Sequence, residues 1–275
     1  MNIGIVGYGV VGKAVAAGFR RKCRIIVSDP AYPRLSRKIT TLVQKCRFLF
    51  VTVPTPMRNP SGGPIDTTII DETMAELSHH ATLAGERPFI VIKSTLIPSR
   101  LPYYVKKYPR LRIVFNPEFL TARHARQDFV NAPLMVLGGT RADTAAVRRL
   151  YRRWSVCKPC PVGCCDLVGA ALLKYLANCF LALKVTFMNE CYDVVCRSGS
   201  ASSWEDLAGI LHLDSRFGHG HYHVPGPDGD RGWGGKCFPK DVNAFIHYAK
   251  TMGCRMELLR LAWTLNRRLR RKVDW

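Results

Sequence analysis

The chain predicts an α/β fold: a doubly wound parallel sheet, then a long linking helix, then a smaller α-helical domain. Three observations carry this expectation. Six apolar runs, at residues 3–6, 24–28, 48–53, 89–93, 112–115 and 134–137, recur with helical or loop segments between them, the rhythm of parallel strands joined by crossovers. From Asp166 to Cys196 no proline occurs and apolar residues return at helical spacing, so one helix longer than the usual globular range is expected. Beyond it, a Gly/Pro loop from Val224 to Gly232 precedes a helix opening at Pro239-Lys240-Asp241. The expected division is residues 1–160 and 161–275.

Taken in order, the first strand runs straight into Gly7-Tyr8-Gly9-Val10-Val11-Gly12 and then into the helix-forming segment from Lys13 to Phe19. A strand, a GxGxxG turn and a helix in that order are the dinucleotide fingerprint of a Rossmann-like fold. Gly7 suits the tight turn, Gly9 lets a pyrophosphate approach the backbone beside Val10 and Val11, and Gly12 lets helix and strand pack closely. The second strand ends at Asp29, whose carboxylate would accept hydrogen bonds from a ribose and repel a 2′-phosphate. NAD is therefore expected over NADP. Val53, Pro54 and Thr55 close the third strand at the carboxyl edge, where cofactors lie in such sheets. The interval from Asn59 to Pro64 reads as a loop flanking the cofactor mouth, and residues 67–78 as a helix.

The segment from Gly232 to Asp241 sets Cys237 between a glycine run and a helix start. Positive charge from Lys236 and Lys240, together with helix N–H groups, would favour the thiolate that a nucleophile needs. Asp241 lies one turn past it on the same side, and on the long helix Lys174 and Asn178 share a face at i and i+4.

Read with the stretches Val51-Thr52-Val53-Pro54-Thr55-Pro56, Lys93-Ser94-Thr95, Asn116-Pro117-Glu118-Phe119-Leu120 and Lys174-Tyr175-Leu176-Ala177-Asn178 leading to Asn189-Glu190, these motifs fall in an order that resembles the UDP-glucose/GDP-mannose dehydrogenase family over essentially the whole chain. The most specific of them is GGxCFPKD, from Gly234 to Asp241. The resemblance implies an NAD-dependent oxidation of a nucleotide sugar, most favourably UDP-glucose, at C6 to the uronic acid through a thioester on Cys237, a step of polysaccharide biosynthesis. It implies that Lys174 stabilises an oxyanion, that Asn178 bonds the same oxygen or a water, and that Asp241 and Thr95 position the water that opens the thioester, Thr95 also lying at the cofactor. Glu118, Phe119, Leu120, Lys174, Arg216 and Gly234 would line the substrate, Arg216 from across a homodimer interface. The resemblance is to a short form lacking the C-terminal UDP-binding domain. Ala122 and Ala171 stand where the family often has Glu, and Ala122 implies slow thioester hydrolysis. Two other readings are a catalytically impaired or regulatory binding protein on the same fold, and a dehydrogenase of a different sugar alcohol.

Composition narrows the classes further. With 275 residues, 47% of them hydrophobic, the chain can bury a sizeable core. No uninterrupted apolar run approaches the ~18 residues of a membrane span, and the N-terminus reads as a strand rather than a signal peptide, so a cytoplasmic protein away from the membrane is expected. Eleven cysteines fit a reducing compartment without disulfides. Cys157, Cys160, Cys164 and Cys165 have CxxC spacing but lack a second matched pair, and His219, His221 and His223 alternate in a polar loop, so packed thiols and solvated imidazoles are expected rather than a metal. The net charge of +21 attracts polyanions, but the basic residues are spread along the chain without a nucleic-acid motif, which favours a nucleotide sugar as partner over nucleic acid.

Overall fold

Side chains alternate along a strand, so a sheet covered on both faces draws two apolar sets from the same short run. The computed structural model, which describes residues 1–59, 62–121, 123–218 and 220–271, has this arrangement. Its strands are β1 (Asn2–Val6), β2 (Arg24–Ser28), β3 (Phe48–Val51), β4 (Phe89–Ile92), β5 (Arg112–Phe115), β6 (Met135–Gly138) and β7 (Val162–Cys165). The helices that accompany them are α1 (Val10–Phe19), α2 (Ile39–Lys45), α3 (Thr68–Leu83), α4 (Arg100–Lys107), α5 (Ala125–Val130), α6 (Arg141–Trp154) and α7 (Leu167–Arg197). Among the described residues the strands form one sheet in the order β2-β1-β3-β4-β5-β6-β7. Ile3, Ile5, Phe50, Phe89 and Val91 face one side under α1, α5 and α6, whereas Leu49, Val51, Ile90, Ile92 and Ile113 face the other under α2, α3 and α4. The doubly wound expectation holds.

Two details differ from it. The sheet is parallel from β2 to β5, but β6 meets β5 antiparallel through Phe115 opposite Gly138. A parallel return needs a crossover long enough to carry the chain back along the sheet. The connection from β5 to β6, residues 116–134, exceeds the dozen or so a crossover needs, so its length does not decide this direction. The second difference is β7, which no apolar run announces because Val162-Gly163-Cys164-Cys165 is half exposed and poor in β-branched residues. It pairs parallel with β6 and takes Cys164 and Cys165 into the sheet.

The chain divides into two compact units, Met1–Thr55 with Asp66–Lys174, and Pro56–Ile65 with Tyr175–Trp275. The boundary expected at residue 160 thus falls inside α7, since β7 joins the sheet and Ala170 and Ala171 are buried in the core of the first unit. Ala171, a methyl in the place of a family carboxylate, therefore sits in apolar surroundings. The second unit is helical, adding α8 (Trp204–Leu211), a 3-10 turn at Ser215–Phe217, α9 (Phe238–Thr251) and α10 (Glu257–Leu269). By length and composition α7 is long and apolar enough to cross a membrane, with a mean hydropathy of 1.5 over its best window, 44% of which is buried within the chain. Lys174, Asn178 and Lys184 interrupt its apolar runs, which is why no span was legible in the sequence.

Just past the carboxyl ends of β4 and β5 lies a buried polar network. Lys93 donates to Asn116 O at 3.1 Å and to Asn116 Oδ1 at 3.0 Å, and Tyr151 donates to the same Oδ1 at 2.8 Å. Asn116 in turn donates to Val136 O at 2.8 Å, so one side chain links β4, β6 and α6. Burial pushes the Lys93 ammonium down to about 8 from its usual 10.5. The folded chain releases this proton near pH 8 while the unfolded chain keeps it to about 10.5, so the unfolded state binds more protons between those values and stability rises with pH across that window. Thermal unfolding of the wild type and Lys93→Met should show this: the wild type gains relative to the variant from pH 8 upward, by roughly 3 kcal/mol in full. Parallel pH profiles would contradict it.

Candidate active site

The N-terminal unit builds a cradle from its glycines. Gly7 has φ +89°, and a Cβ there would lie 2.9 Å from the main chain of Thr52 and Val53, so the turn excludes any side chain. At Gly12 a Cβ would stand 2.2 Å from Gly7 O, which sets α1 directly on that turn. Gly9 is the opposite case: a Cβ would meet nothing within 4 Å, and Gly9 caps α1 without a side-chain hydrogen bond. The first-turn N–H groups beyond it, at Val10 and Val11, open on that space at a helix N-terminus, as a pyrophosphate requires. Asp29, just past β2, accepts Tyr8 N–H on Oδ2 and Ala31 N–H on Oδ1 at 2.8 Å. These bonds hold its carboxylate beside the glycine turn and leave lone pairs for ribose hydroxyls. The residues fit NAD. Val53, Pro54 and Thr55 lie beyond the end of β3, in a loop rather than in the strand, and Ser94 Oγ ties that loop by donating to Val53 O at 2.7 Å. Thr95 follows β4, half-buried.

Lys174, 4% exposed, donates to Glu118 O and to Glu118 Oε1 at 3.0 Å, with Phe119 packed 5.4 Å from its ammonium. Glu118 Oε2 accepts Leu120 N–H at 2.7 Å, which closes the Glu118-Phe119-Leu120 turn upon the lysine. One carboxylate thus compensates the enclosed ammonium and shapes its loop.

The second unit holds the cysteine. Cys237 is the N-cap of α9 and is exposed; Pro239, with its preset φ, opens the helix behind it. Asp241 in the first turn is 1% exposed and donates its N–H to Cys237 O at 2.9 Å. Its carboxylate accepts Asn178 Nδ2 at 2.5 Å and Lys240 Nζ at 2.5 Å. Asn178 thereby commits one amide hydrogen to Asp241, and the other is the donor it can offer an oxyanion or a water. The glycine run before Cys237, including Gly234, is fixed from behind by Asn266, fully buried, which accepts Trp233 N–H at 2.7 Å and donates to Trp233 O at 2.8 Å. Trp233 also donates to Thr186 Oγ1 at 2.9 Å, and Gly232 N–H reaches Asn189 Oδ1 at 3.1 Å. Arg216, its side chain 84% exposed, pairs with Asp214, whose carboxyl is held below the usual range by that guanidinium.

Sequence reasoning missed Asn266, Thr186 and Trp233 as supports of the cysteine loop. Asn266 carried a signal: it takes the polar place in the buried stripe Leu259, Ala262, Trp263, Asn266 of an otherwise basic helix. The interval from Asn59 to Pro64, expected at the cofactor mouth, falls within Pro56–Ile65 of the second unit, where a Cβ on Gly62 would lie 2.6 Å from Asn243 of α9. Ala122, His219 and residues 60 and 61 lie outside the described residues. Cys157 packs against Gly18 of α1, and burial pushes its thiol up, as it does for Cys165. No group of three or more His, Cys, Asp or Glu able to hold a metal occurs among the described residues. His221 is exposed by surface area, and its imidazole is pushed down by partial desolvation and then by the Lys184 ammonium beside it.

The UDP-glucose/GDP-mannose dehydrogenase family's NAD-binding domain matches residues 26–155, and its central domain matches residues 169–268. The chain belongs to that family. Its curated relatives include a UDP-glucose 6-dehydrogenase of Rickettsia felis, 31% identical over 206 residues that make up 74% of this chain and 43% of the relative. Another is the putative UDP-glucose 6-dehydrogenase YtcA of Bacillus subtilis, 30% identical over 241 residues, 84% of this chain and 53% of the relative. The chain spans about half the length of the curated relatives it matches. Among solved structures, a UDP-glucose dehydrogenase from Pyrobaculum islandicum superposes with TM-score 0.82 at 22% identity, covering 97% of this chain and 68% of that one. A 3-hydroxyisobutyrate dehydrogenase from Mycobacterium tuberculosis superposes with TM-score 0.75 at 14% identity over 97% of this chain and 92% of its own. At these identities the likeness is one of fold.

The cradle makes a direct prediction about the family's cofactor. Wild type should bind NAD roughly 100-fold more tightly than NADP, because a 2′-phosphate would face the Asp29 carboxylate. Asp29→Asn should cut that preference about tenfold or more by titration calorimetry. Equal affinities in the wild type, or an unchanged ratio in the variant, would sink the assignment.

Proposed function

We propose that this chain oxidises the C6 alcohol of a nucleotide sugar, UDP-glucose first among them, to the uronate in two NAD-dependent steps. The observation that carries the reading is Cys237, exposed at the start of α9 with buried Asp241 one turn behind it. NAD, held by Gly7, Gly9, Gly12 and Asp29, supplies the hydride acceptor when bound. The remaining work belongs to the chain. Lys174 stabilises the oxygen at C6 as negative charge develops there, a role suited to an enclosed cation. After the first oxidation the Cys237 thiolate adds to the aldehyde carbon, and Lys174 and the second amide hydrogen of Asn178 hold the resulting oxyanion. After the second, the acyl group sits on sulfur; a water positioned by Asp241 and Thr95 attacks it, and sulfur leaves as thiolate. One alcohol, two NAD⁺ and one water give one carboxylate, two NADH and three protons. Glu118, Phe119, Leu120 and Gly234 line the sugar and nucleotide.

The reading includes a homodimer in the cytoplasm. Phe180, Phe187 and Val194 recur every seven residues on α7 and are 59–68% exposed, a stripe that suits a helix of a second copy better than water. Arg216, exposed and held by Asp214, then serves the neighbouring site by exchanging that surface partner for the substrate. We take α7 as a helix of the family's central domain rather than a membrane span, because the central-domain match covers it almost throughout.

Two experiments test the proposal. Absorbance at the NADH band with UDP-glucose should give two NADH per uronate, and Cys237→Ser should abolish acid formation while NAD binding is kept. Acid formed by the variant at a near-native rate would refute the covalent route, and NAD binding without turnover of UDP-, GDP- or TDP-sugars would leave a binding protein. Light scattering should give twice the 30.9 kDa chain mass, and Phe180→Asp with Phe187→Asp should give the monomer. A wild-type monomer would remove the shared site.

A further inference from the structure

Several arginines of this chain pair with carboxylates, and many others, on helices and loops as well as at the sheet, have no ion pair among the described residues. Arg100 pairs with Asp71, Arg112 with Asp143, Arg231 with Asp193 and Arg270 with Asp228. Arg24, Arg47 and Arg87 are exposed, and none of the three has a carboxylate within ion-pair distance among the described residues. They stand in a row. Arg24 opens β2, Arg47 directly precedes β3, Arg87 lies just ahead of β4, and Arg112 opens β5. The register aligns these starts, with Asn2 opposite Arg24, Ile3 opposite Phe48, Phe48 opposite Phe89 and Phe89 opposite Arg112. At about 4.8 Å between neighbouring strands, the row spans about 19 Å. It occupies the amino edge of the sheet, opposite the edge that carries the glycine turn.

Packing holds the row in place. The guanidinium of Arg47 lies 5.5 Å from the ring centre of Phe89, and that of Arg112 lies 3.9 Å from the same ring. The helices that lead into these strands add cations at the same edge, Lys45 at the end of α2 and Lys106 and Lys107 at the end of α4. A helix dipole accounts for those lysines, but sheets carry only a small dipole, so it does not account for the arginines. Beside the row, Leu83 at the end of α3 is 71% exposed and Val105 in the last turn of α4 is 46% exposed.

Three arginines without a carboxylate partner, aligned over about 14 Å and continued by the paired Arg112, call for a negatively charged surface, and the aliphatic neighbours decide its kind. Leu83 and Val105 can enter the headgroup boundary of a bilayer, whereas the rings within the row, Phe48 and Phe89, are 6% and 1% exposed and cannot stack on bases. We propose that the amino edge of the sheet in the NAD-binding unit is a peripheral docking surface for an anionic lipid bilayer. The surface is independent of the reaction, because none of its residues belongs to the cofactor or substrate machinery.

Co-sedimentation of the full chain with lipid vesicles tests this, using phosphatidylcholine alone and phosphatidylcholine with about 30% phosphatidylserine at about 0.1 M salt. The chain should bind the anionic vesicles and not the neutral ones. Each arginine at such a surface contributes roughly fivefold, so Arg24→Glu with Arg47→Glu and Arg87→Glu should lose about 100-fold or more in partitioning, with NAD affinity unchanged. The same number of reversals in the second unit, at Lys250, Arg260 and Arg267, should lose much less. If the triple reversal does not fold, the triple glutamine variant replaces it and should lose roughly 100-fold. Equal binding to neutral vesicles, no binding to anionic ones, or equal losses in the two variant sets would overturn the proposal. So would duplex DNA that strips the wild type from the vesicles at a lower concentration of charge, which would make the edge a nucleic-acid interface.

Discussion

The second unit depends on one buried charge. Asp241 is 1% exposed, and a carboxylate so enclosed costs several kcal/mol unless donors surround it. Asn178 from α7 and Lys240 from its own helix supply them. Meeting that demand fixes the first turn of α9 against α7, and Asp241 N–H on Cys237 O fixes the cysteine at the end of that turn. The same carboxylate thus ties both Asn178 and the turn that carries Cys237. Loss of either donor would leave a buried charge uncompensated, so the anchor and the chemistry cannot be varied separately.

The loop ahead of Cys237 is governed by a neutral version of the same rule. Asn266, fully buried, satisfies both main-chain groups of Trp233, and Asn189 satisfies Gly232 N–H. Gly232 has φ +69°, and a Cβ there would stand 2.3 Å from Asn266 Oδ1, so glycine is required twice over, by the turn and by the approach of the asparagine. The glycine run is therefore a rigid mount for the cysteine, held from α7 and α10.

What was legible in the sequence was what a local segment decides alone. The glycine turn, Asp29 at the end of β2, the length of α7 and the start of α9 each follow from a few neighbouring residues. The rest depends on partners remote in sequence. β6 meets β5 antiparallel, which its apolar run does not announce, and β7 is a strand because β6 offers it an edge, not because Val162-Gly163-Cys164-Cys165 favours one. Segment 56–65 joins the second unit through Gly62 and Asn243, a contact no local pattern announces. Cys237, Asp241 and Asn178 stand out in the sequence as candidates, but the pairing of Glu118 with Lys174 in one unit and the support by Asn266 in the other do not, since each joins residues brought together only by folding.

In the proposed reaction both oxidations reach the acid through the sulfur of Cys237, with the cofactor cradle in one unit and the cysteine mount in the other. The most direct measurement is the intact mass of the chain after UDP-glucose and NAD are mixed with it and quenched in acid during turnover. A population should carry the mass of the substrate acyl group, with peptide mapping placing it on Cys237. NADH and uronate accumulating with no adduct at any time, in a protein whose Cys237 can be alkylated without loss of rate, would contradict the account.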